Sequence, residues 1–438
     1  MDKNMFIRIL NSEMQLATGC TEPAAVALAA AEAVRILGSV PERLEVSASA
    51  NILKNAMAAG IPGTSYTGMD YAAAIGAVGG DPERQLEVIN GVSEEKLLVA
   101  EELVKSGNVS VTQADTTRKL YIDVTAYGGG HTGRAVIRDL HTNVVLHQKD
   151  DKVIREILDV AQESNASDDV VTPEEIANFL SMRAVWEYCT EELDPMHDPI
   201  EIIRKAVEIN GAVSEEGLNK DYGLAIGRRL QESCGNGVMT LDMTTQAMIA
   251  AAAASDARMA GAPLSVVTNS GSGNQGITAT MPVLAVARWL KADEERLLRA
   301  ETLSHLVTIY IKSQFGRLSN LCGATVAGTG SACGITYLLG GGYEEVCNAV
   351  HNMVGNLTGM VCDGAKADCA LKISSCVNAA VQAAVLAVRG IRVQSTDGVV
   401  AQDVEDTIRN FAVLSNQGTG DQVILNLMLN KKNSHRGI

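Results

Sequence analysis

The chain has 438 residues, of which 46% are hydrophobic, 20% are charged and only 3% are aromatic. A formal net charge of −16 argues against nucleic acid and anionic membranes as partners, because both attract basic surfaces. The first residues contain no apolar run of the kind found in signal peptides, and the Ala-rich stretch 379–388 is too short to span a bilayer. We therefore expect a cytoplasmic protein.

Helices are predicted over 4–17 and 22–37. Thr21, Glu22 and Pro23 mark the start of the second helix, because they supply a capping hydroxyl, an acid in the first turn and a proline whose missing N–H costs nothing there. Alternating apolar residues and β-branched side chains then predict strands at 43–49, 109–112, 119–127, 133–139 and 143–148. Two more helices are predicted among these strands, at 69–78 and 94–106.

From about residue 170 the pattern is helical to the end, from Pro173–Arg183 through Asp421–Leu429. The chain is longer than the roughly 250–300 residues that one hydrophobic core usually serves, and the polar stretch Glu163–Asp169 is the best linker candidate. We predict an α+β fold with two domains. A mixed N-terminal α+β domain with an antiparallel sheet would span 1–165, and a mainly helical domain would span 166–438.

Nine cysteines occur in this chain, and thiols outside an oxidising compartment are usually core residues, metal ligands or nucleophiles. Cys322, Cys362 and Cys369 lie in small-residue stretches, where neighbouring glycines leave room for a bulky inorganic group. Their spacings of 40 and 7 residues exclude a zinc ribbon, whereas three ligands with one open position suit a catalytic metal. Buried structural thiols remain the alternative, and we favour it for Cys189, Cys234, Cys333, Cys347 and Cys376.

A further cysteine, Cys20, stands directly before a predicted helix start. Free N–H groups and the helix dipole at such a position lower the pKa of a thiol and favour the thiolate. Asp368 is a candidate N-cap for the helix that opens with Cys369, so we expect the same effect on the pKa of Cys369.

The segment Thr268–Thr278 combines glycines and small polar residues and runs directly into a helical pattern. Such a loop can turn several backbone N–H groups toward one anion, with a helix N-terminus behind them. No Lys-Ser/Thr follows, and no clear strand and ribose-binding acid frame the loop, so it matches neither a Walker loop nor a dinucleotide fingerprint. The carboxylate of a small substrate is the better ligand, with a plain Gly-rich turn as the alternative.

Polar residues in the N-terminal part supply candidates for proton transfer. Asn51, Lys54 and Asn55 follow a predicted strand, and His131 and Thr132 follow three glycines. Lysine and histidine can move protons near neutral pH, lysine only if burial or a nearby cation lowers its pKa. The simpler interpretation gives these residues no role in catalysis: the asparagines would cap a helix, Lys54 would be solvated and His131 would belong to a turn.

Arg258 could supply a guanidinium for a carboxylate, unless it only pairs with Asp256. The seven histidines include no His-x3-His or His-Glu-x2-His spacing, so a zinc hydrolase is disfavoured.

Several short motifs, spread over residues 15–415, follow one another along the chain in the same order as in a known family. These motifs are Gly19–Pro23, Asn51 with Lys54 and Asn55, Pro62–Thr64, Gly130–Thr132, Ser255–Met259, Ser270–Ile277, Leu321–Cys322 and Cys362–Ala365 with Cys369. Together they resemble the L-cysteine desulfidase family, which is related to the alpha chain of iron–sulfur L-serine dehydratases. Serine dehydratases space their last two ligands more widely than the seven residues here. Serine dehydratases also carry a separate beta-type domain, and some of them carry a C-terminal cysteine. This sequence shows neither feature. Both differences favour the desulfidase branch.

The resemblance implies an oxygen-labile [4Fe–4S] cluster on Cys322, Cys362 and Cys369, with one iron open to substrate. It implies elimination of the β-thiol of L-cysteine to give pyruvate, ammonia and hydrogen sulfide without pyridoxal phosphate. Cys20, Lys54 and His131 are then the candidate bases, which the sequence does not rank, and Cys20 could instead cap the open iron. Substrate binding is expected from Asn51, Asn55, Thr132, Arg258, Ser270, Gly271, Ser272, Gly273, Asn274 and Gln275.

Three other functions stay open at this point. L-Serine could be the substrate of the same mechanism. The chain could be a cluster or zinc sensor without turnover, or a pyridoxal phosphate lyase with a buried aldimine lysine. The expected partner is a small amino acid, with no nucleic acid and no membrane, and a homo-oligomer is compatible with the sequence.

Overall fold

A computed structural model of the protein describes residues 2–157, 171–315, 319 and 321–417. An α+β part with a largely antiparallel sheet precedes a mostly helical region, which confirms the predicted fold class. The linker candidate Glu163–Asp169 and the predicted helix Asp421–Leu429 lie outside the described residues. The division between two domains at residue 165 stays a prediction.

The larger sheet has six strands in the order β3-β2-β4-β5-β6-β7. They are β2 (Arg43–Ala48), β3 (Val109–Gln113), β4 (Tyr121–Gly128), β5 (His131–Arg138), β6 (Val144–Lys149) and β7 (Lys152–Glu156). The five predicted strands are confirmed within a few residues, whereas β7 is an addition. All neighbours are antiparallel except β2 and β3, which are parallel, so the sheet is mixed. Parallel neighbours require a crossover, and the helices between them form it.

Helices cover one face of this sheet. They are α2 (Thr21–Leu37), α3 (Ala50–Ala56), α4 (Met69–Gly79) and α5 (Glu94–Lys105), with a 3₁₀ helix at Pro82–Glu87. α2 packs on β4 and β5 and also against α4. Gly76 of α4 lies so near α2 that a Cβ atom there would stand 2.2 Å from the carbonyl oxygen of Ala27. Small side chains therefore allow this close helix packing.

The N-terminus belongs to the core of the helical region. α1 (Lys3–Glu13) ends before the predicted residue 17, because β1 (Leu16–Thr18) pairs antiparallel with β8 (Ser265–Val267). The ring of Phe6 stacks on that of Tyr188 with centroids 4.1 Å apart. This strand pair brings the start of α2 next to the helices that follow.

The helical region contains eleven described helices, with a π-helical turn at Tyr188–Glu192. They are α6 (Pro173–Phe179), α7 (Met182–Glu187), α8 (Glu201–Asn219), α9 (Ile226–Gly235), α10 (Met243–Met259), α11 (Gly273–Leu290), α12 (Glu294–Phe315), α13 (Gly323–Leu338), α14 (Tyr343–Asn356), α15 (Cys369–Ala387) and α16 (Val404–Gln417). α10, α11, α13 and α15 pack on one another at the centre, and α12 packs along α13.

By length and composition, α15 alone among the described helices could cross a membrane. The Ala-rich stretch 379–388 is thus part of a longer apolar helix than the sequence suggested. More than half of this helix is buried against its neighbours, as in the core helices of soluble proteins that pass the same test. Its apolar character is accounted for by packing against α10, α13 and α14.

Candidate active site

The three predicted metal ligands and Cys20 line one cavity of about 110 Å³. Cys20 is the N-cap of α2, Cys322 is the N-cap of α13, and Cys369 is the first residue of α15. Cys362 lies in the loop before α15. Three helix N-termini therefore converge on the cavity, and their unpaired N–H groups favour negative charge there.

A short backbone bridge brings the distant cysteines together. Leu321 pairs with Val361 in an isolated antiparallel bridge, and the N–H of Cys322 donates to the carbonyl oxygen of Met360 at 2.9 Å. This bridge places Cys322 beside Cys362. None of the cysteines in the described ranges forms a disulfide.

Burial dominates the protonation of these thiols. Burial, together with the smaller effect of the neighbouring Cys362 and Cys369, raises the pKa of Cys322 to about 12. It likewise raises the pKa of Cys369 to about 11. The pKa of Cys20 is also raised by burial, although the Arg258 guanidinium opposes this. The expected lowering of pKa at helix N-termini is therefore wrong for Cys20 and Cys369, because loss of hydration outweighs the helix dipole.

The guanidinium of Arg258 lies in the wall of this cavity and is almost fully buried. Its Nη2 donates to the carbonyl oxygen of Gly19 at 2.9 Å, and its Nε has no hydrogen-bond partner. Asp256 does not pair with it, since this carboxylate accepts from the N–H of Gly227 at 2.9 Å. No carboxylate within the described part of the chain forms an ion pair with Arg258, so an anionic ligand can take that place.

The loop predicted to bind an anion makes a tight turn directly before α11. Asn269 and Ser272 form a tight bridge, Ser270 and Gly271 adopt positive φ angles of 48° and 79°, and the Ser272 hydroxyl caps α11. Gly271, Ser272 and Asn274 line the cysteine cavity. Gly273 contacts Arg258 instead, because a Cβ atom there would fall 2.2 Å from the Nε atom.

A second cavity of about 100 Å³ adjoins the first and shares Glu22, Asn55, Gly271, Ser272, Gly323 and Cys362 with it. Among its further lining residues are Asn51, Lys54, Ser270 and Gln275. Gly364, with a φ of 101°, allows the cysteine loop to approach α3, since a Cβ atom there would stand 2.3 Å from the Lys54 carbonyl oxygen. The two groups of residues predicted from separate motifs therefore meet at one site.

His131 and Thr132 are not part of this site. His131 is exposed at the start of β5, where its Nδ1 lies 3.0 Å from Asp150, and the N–H of Thr132 donates to the same carboxylate at 2.8 Å. The adjacent Gly133 packs against Leu37, at the far end of α2 from Cys20. The 17 residues of α2 put about 25 Å between these ends. The structure therefore does not bring these two residues to the cavities, because the strand carries them away.

Other residues of the second cavity were missed by the sequence analysis. The sequence pattern predicts Glu22 only as a first-turn acid of α2, whereas this residue lines both cavities. His141, in the turn between β5 and β6, and Lys312 of α12 line the second cavity. Neither belongs to a motif, so only the chain fold reveals them.

Among the described side chains, no three His, Cys, Asp or Glu residues stand close enough to hold a single metal ion. The three cysteines nevertheless share one cavity. A [4Fe–4S] cluster takes one thiolate on each iron, and its ligands therefore stand farther apart than those of a single ion.

Comparison with known proteins identifies the family. Residues 83–424 match the family described as serine dehydratase alpha chain. The chain belongs to the serine dehydratase alpha chain family. This confirms the resemblance found in the motifs, and it places the chain in a lyase-type enzyme family.

Relatives of similar length also match. A UPF0597 protein of Oleidesulfovibrio alaskensis is 46% identical over 429 residues, which is 98% of each chain. UPF0597 proteins of Porphyromonas gingivalis and Clostridium perfringens are 42% and 40% identical, over 97% and 99% of this chain and 98% and 100% of their own. Because these alignments cover nearly the whole chain, the similarity extends to the residues before 83, a segment that contains Cys20 and Lys54.

Proposed function

We propose that this protein catalyses β-elimination of L-cysteine to pyruvate, ammonia and hydrogen sulfide, with a [4Fe–4S] cluster held by Cys322, Cys362 and Cys369. One observation carries the proposal. Three thiols from separate segments line one cavity together with Cys20 and the buried guanidinium of Arg258.

The donor set fits an iron–sulfur cluster. Thiolates are the usual ligands of such clusters, and they bind as anions, so three thiolates in one buried cavity would need a central positive charge. Gly323 and Gly364 line the cavity without side chains, which leaves space beside the thiols. When bound, the cluster would supply a Lewis-acidic iron with an open position, and its softness suits a sulfur ligand.

The charges of the site suit a zwitterionic amino acid. The buried guanidinium of Arg258 and the loop N–H groups at the start of α11 would hold the substrate carboxylate. Binding of the carboxylate in a largely buried site would orient Cα and Cβ and exclude water from them.

The proton on Cα must be removed by a base near this site. Cys20 lines the cysteine cavity and Lys54 lines the adjoining one, so both remain candidates, whereas His131 does not. When the base takes the proton, the C–H electron pair forms the Cα=Cβ bond and the Cβ–S bond breaks, so that sulfide leaves. The aminoacrylate product tautomerises to an imine, and water hydrolyses it to pyruvate and ammonia.

L-Serine is the alternative substrate, because the matching family is described as a serine dehydratase alpha chain. The same steps would then release water in place of sulfide. We favour L-cysteine because its thiol matches a soft iron better than a hydroxyl does. The seven-residue spacing between Cys362 and Cys369 also favours the desulfidase branch.

The test is anaerobic reconstitution with iron and sulfide, followed by assays of pyruvate and sulfide from L-cysteine and of pyruvate from L-serine. We expect turnover of L-cysteine that is lost on exposure to air and reduced at least ~100-fold in Cys362→Ala, because a cluster ligand is missing. Cys234→Ala is the matched control, since Cys234 on α9 lies outside both cavities. A stable cluster without product from either amino acid would reject the proposal and favour a sensor.

A further inference from the structure

Three amide oxygens of the second cavity have no hydrogen-bond partner in the part of the chain that the structure describes. They are Oδ1 of Asn51, Oδ1 of Asn55 and Oε1 of Gln275. Asn51 is 8% exposed and Gln275 is 1% exposed. A buried acceptor without a donor costs roughly 1–3 kcal/mol, so three in one cavity indicate that a donor-rich ligand binds there.

The orientation of Asn55 is set by a carboxylate. Its Nδ2 donates to Oε1 of Glu22 at 3.0 Å, and the other oxygen of Glu22 accepts from the hydroxyl of Thr21 at 3.1 Å. A carboxylate accepts and cannot donate when ionised, so the amide nitrogen must face it. The amide oxygen of Asn55 is therefore the atom left for a ligand.

The orientation of Gln275 is set in the same way. Its Nε2 donates to Oδ1 of Asn269 at 3.2 Å, and that oxygen also accepts from the hydroxyl of Ser270 at 2.9 Å. Nδ2 of Asn269 in turn donates to Nδ1 of His305 at 3.1 Å. Because Asn269 cannot rotate without losing these bonds, Oε1 of Gln275 is the atom left for a ligand.

The second cavity also carries charges of both signs. Lys54 and Lys312 line it, and so does the carboxylate of Glu22. Neither lysine donates to the three unpaired amide oxygens, which have no donor at all among the described residues. An amino acid zwitterion is complementary to these walls. The lysines attract its carboxylate, whereas the amide oxygens and Glu22 attract its ammonium group, which has three N–H donors.

We propose that the side-chain oxygens of Asn51, Asn55 and Gln275 form a receptor for the α-ammonium group of an amino-acid substrate. Glu22 holds one of these amides in place and supplies the compensating negative charge. This proposal deepens the proposed function, from which it takes only that the ligand is an α-amino acid. It assigns substrate selection to three neutral amides, and it predicts that acids without the amino group are rejected, because the oxygens then stay unpaired.

Equilibrium binding of L-alanine and propionate to the anaerobically reconstituted protein tests this site by calorimetry. The two ligands differ only in the ammonium group, and neither carries a β-leaving group, so no elimination occurs. We expect L-alanine to bind at least ~10-fold more tightly than propionate. In Asn51→Leu and in Gln275→Met, which keep side-chain volume, this ratio should fall toward one because L-alanine loses affinity.

Gln246→Met is the matched control, since Gln246 lies on α10 outside both cavities. It should keep the wild-type ratio. The two test variants lie on different helices, so the failure of one to fold leaves the other informative. Equal affinities for both ligands in the wild type, undetectable binding of L-alanine, or an unchanged ratio in a folded test variant would overturn the receptor.

The outcomes separate this proposal from the proposed function. If the reconstituted wild-type protein turns over neither L-cysteine nor L-serine but prefers L-alanine to propionate as expected, the lyase is rejected and the ammonium receptor is retained. Turnover combined with an unchanged ligand ratio in the folded variants would retain the lyase and reject the receptor.

Discussion

The side chains of Asn269 and His305 join the glycine-rich loop before α11 to helix α12 through a fully buried hydrogen bond of 3.1 Å between Nδ2 and Nδ1. Since Nδ1 of His305 accepts this bond, the ring proton lies on Nε2, which donates to the hydroxyl of Thr280 at 3.0 Å. That hydroxyl donates to the carbonyl oxygen of Gly276 at 2.8 Å. His305 therefore supports both the loop and the first turns of α11.

His305→Leu removes this support, and we expect KM for the amino-acid substrate to rise about tenfold while kcat changes less than about threefold. The reason is that His305 orients binding groups without touching the ligand. Stability should also fall by about 1–3 kcal/mol, because buried polar groups lose partners. His305→Gln, which can still accept and donate, should recover part of the KM effect. A fall in kcat at unchanged KM would argue against this positioning role.

The buried carboxylate of Glu301 lies 3.9 Å from Nε2 of His305, and neither of its oxygens has a hydrogen-bond partner among the described residues. Burial raises the pKa of Glu301 well above its ordinary value, and it lowers the pKa of His305 to about 3. The folded protein thus prefers both groups uncharged. The raised pKa of Glu301 makes the fold lose stability as pH rises above about 4.5, and the lowered pKa of His305 makes it lose stability as pH falls below about 6.5.

Glu301→Gln should therefore stabilise the protein at pH 8 by about 1–2 kcal/mol, because the fold no longer has to retain a proton or bury a charge. At pH 5 the gain should be smaller, since the glutamic acid is then protonated in the fold at little cost. Urea unfolding of the wild type and the variant at both pH values measures this difference. An equal effect of the substitution at pH 5 and pH 8 would contradict the assignment of a raised pKa.

Gly364→Ala should disrupt the loop before α15, which carries Cys362. The residue has a φ of 101°, and a Cβ atom would stand 2.3 Å from the carbonyl oxygen of Lys54. We expect the reconstituted variant to hold less than half of the wild-type iron, measured with its visible absorbance. Gly359→Ala is the matched control, since a Cβ atom there meets nothing within 4 Å and its φ is not positive. Equal iron content in both variants would show that the loop tolerates the change.

Two histidines ten residues apart should differ sharply in their effect on turnover. His131→Ala should change kcat/KM less than about twofold, because the ring is exposed at the end of the sheet remote from the cavities. His141→Ala should lower kcat/KM at least ~10-fold, because His141 lines the cavity with Lys54 and Gln275. Anaerobic assays of both variants at matched cluster content measure this. The reverse order would mean that His131 reaches the site.

Local sequence patterns were sufficient for much of the fold. β4 alternates between buried and half-buried residues, and Glu22 and Pro23 mark the first turn of α2, so both elements could be predicted even though Cys20, not Thr21, is the N-cap and no side chain caps the helix. The parallel pairing of β2 with β3 and the pairing of β1 with β8 could not. Strand partners distant in the chain leave no local periodicity, and a short segment such as β1 is then read as a continuation of the preceding helix.

The sequence by itself determined the chemistry available to this protein: the thiols of Cys322, Cys362 and Cys369, a glycine-rich loop before a helix, and motifs that indicate the family. Only the tertiary structure decided which of these groups meet. It separated His131 from Lys54 and brought His141 into the site, because the path of a strand sets the position of its ends. It also raised the pKa of Cys20, since burial depends on everything packed around a side chain and not on its neighbours in sequence.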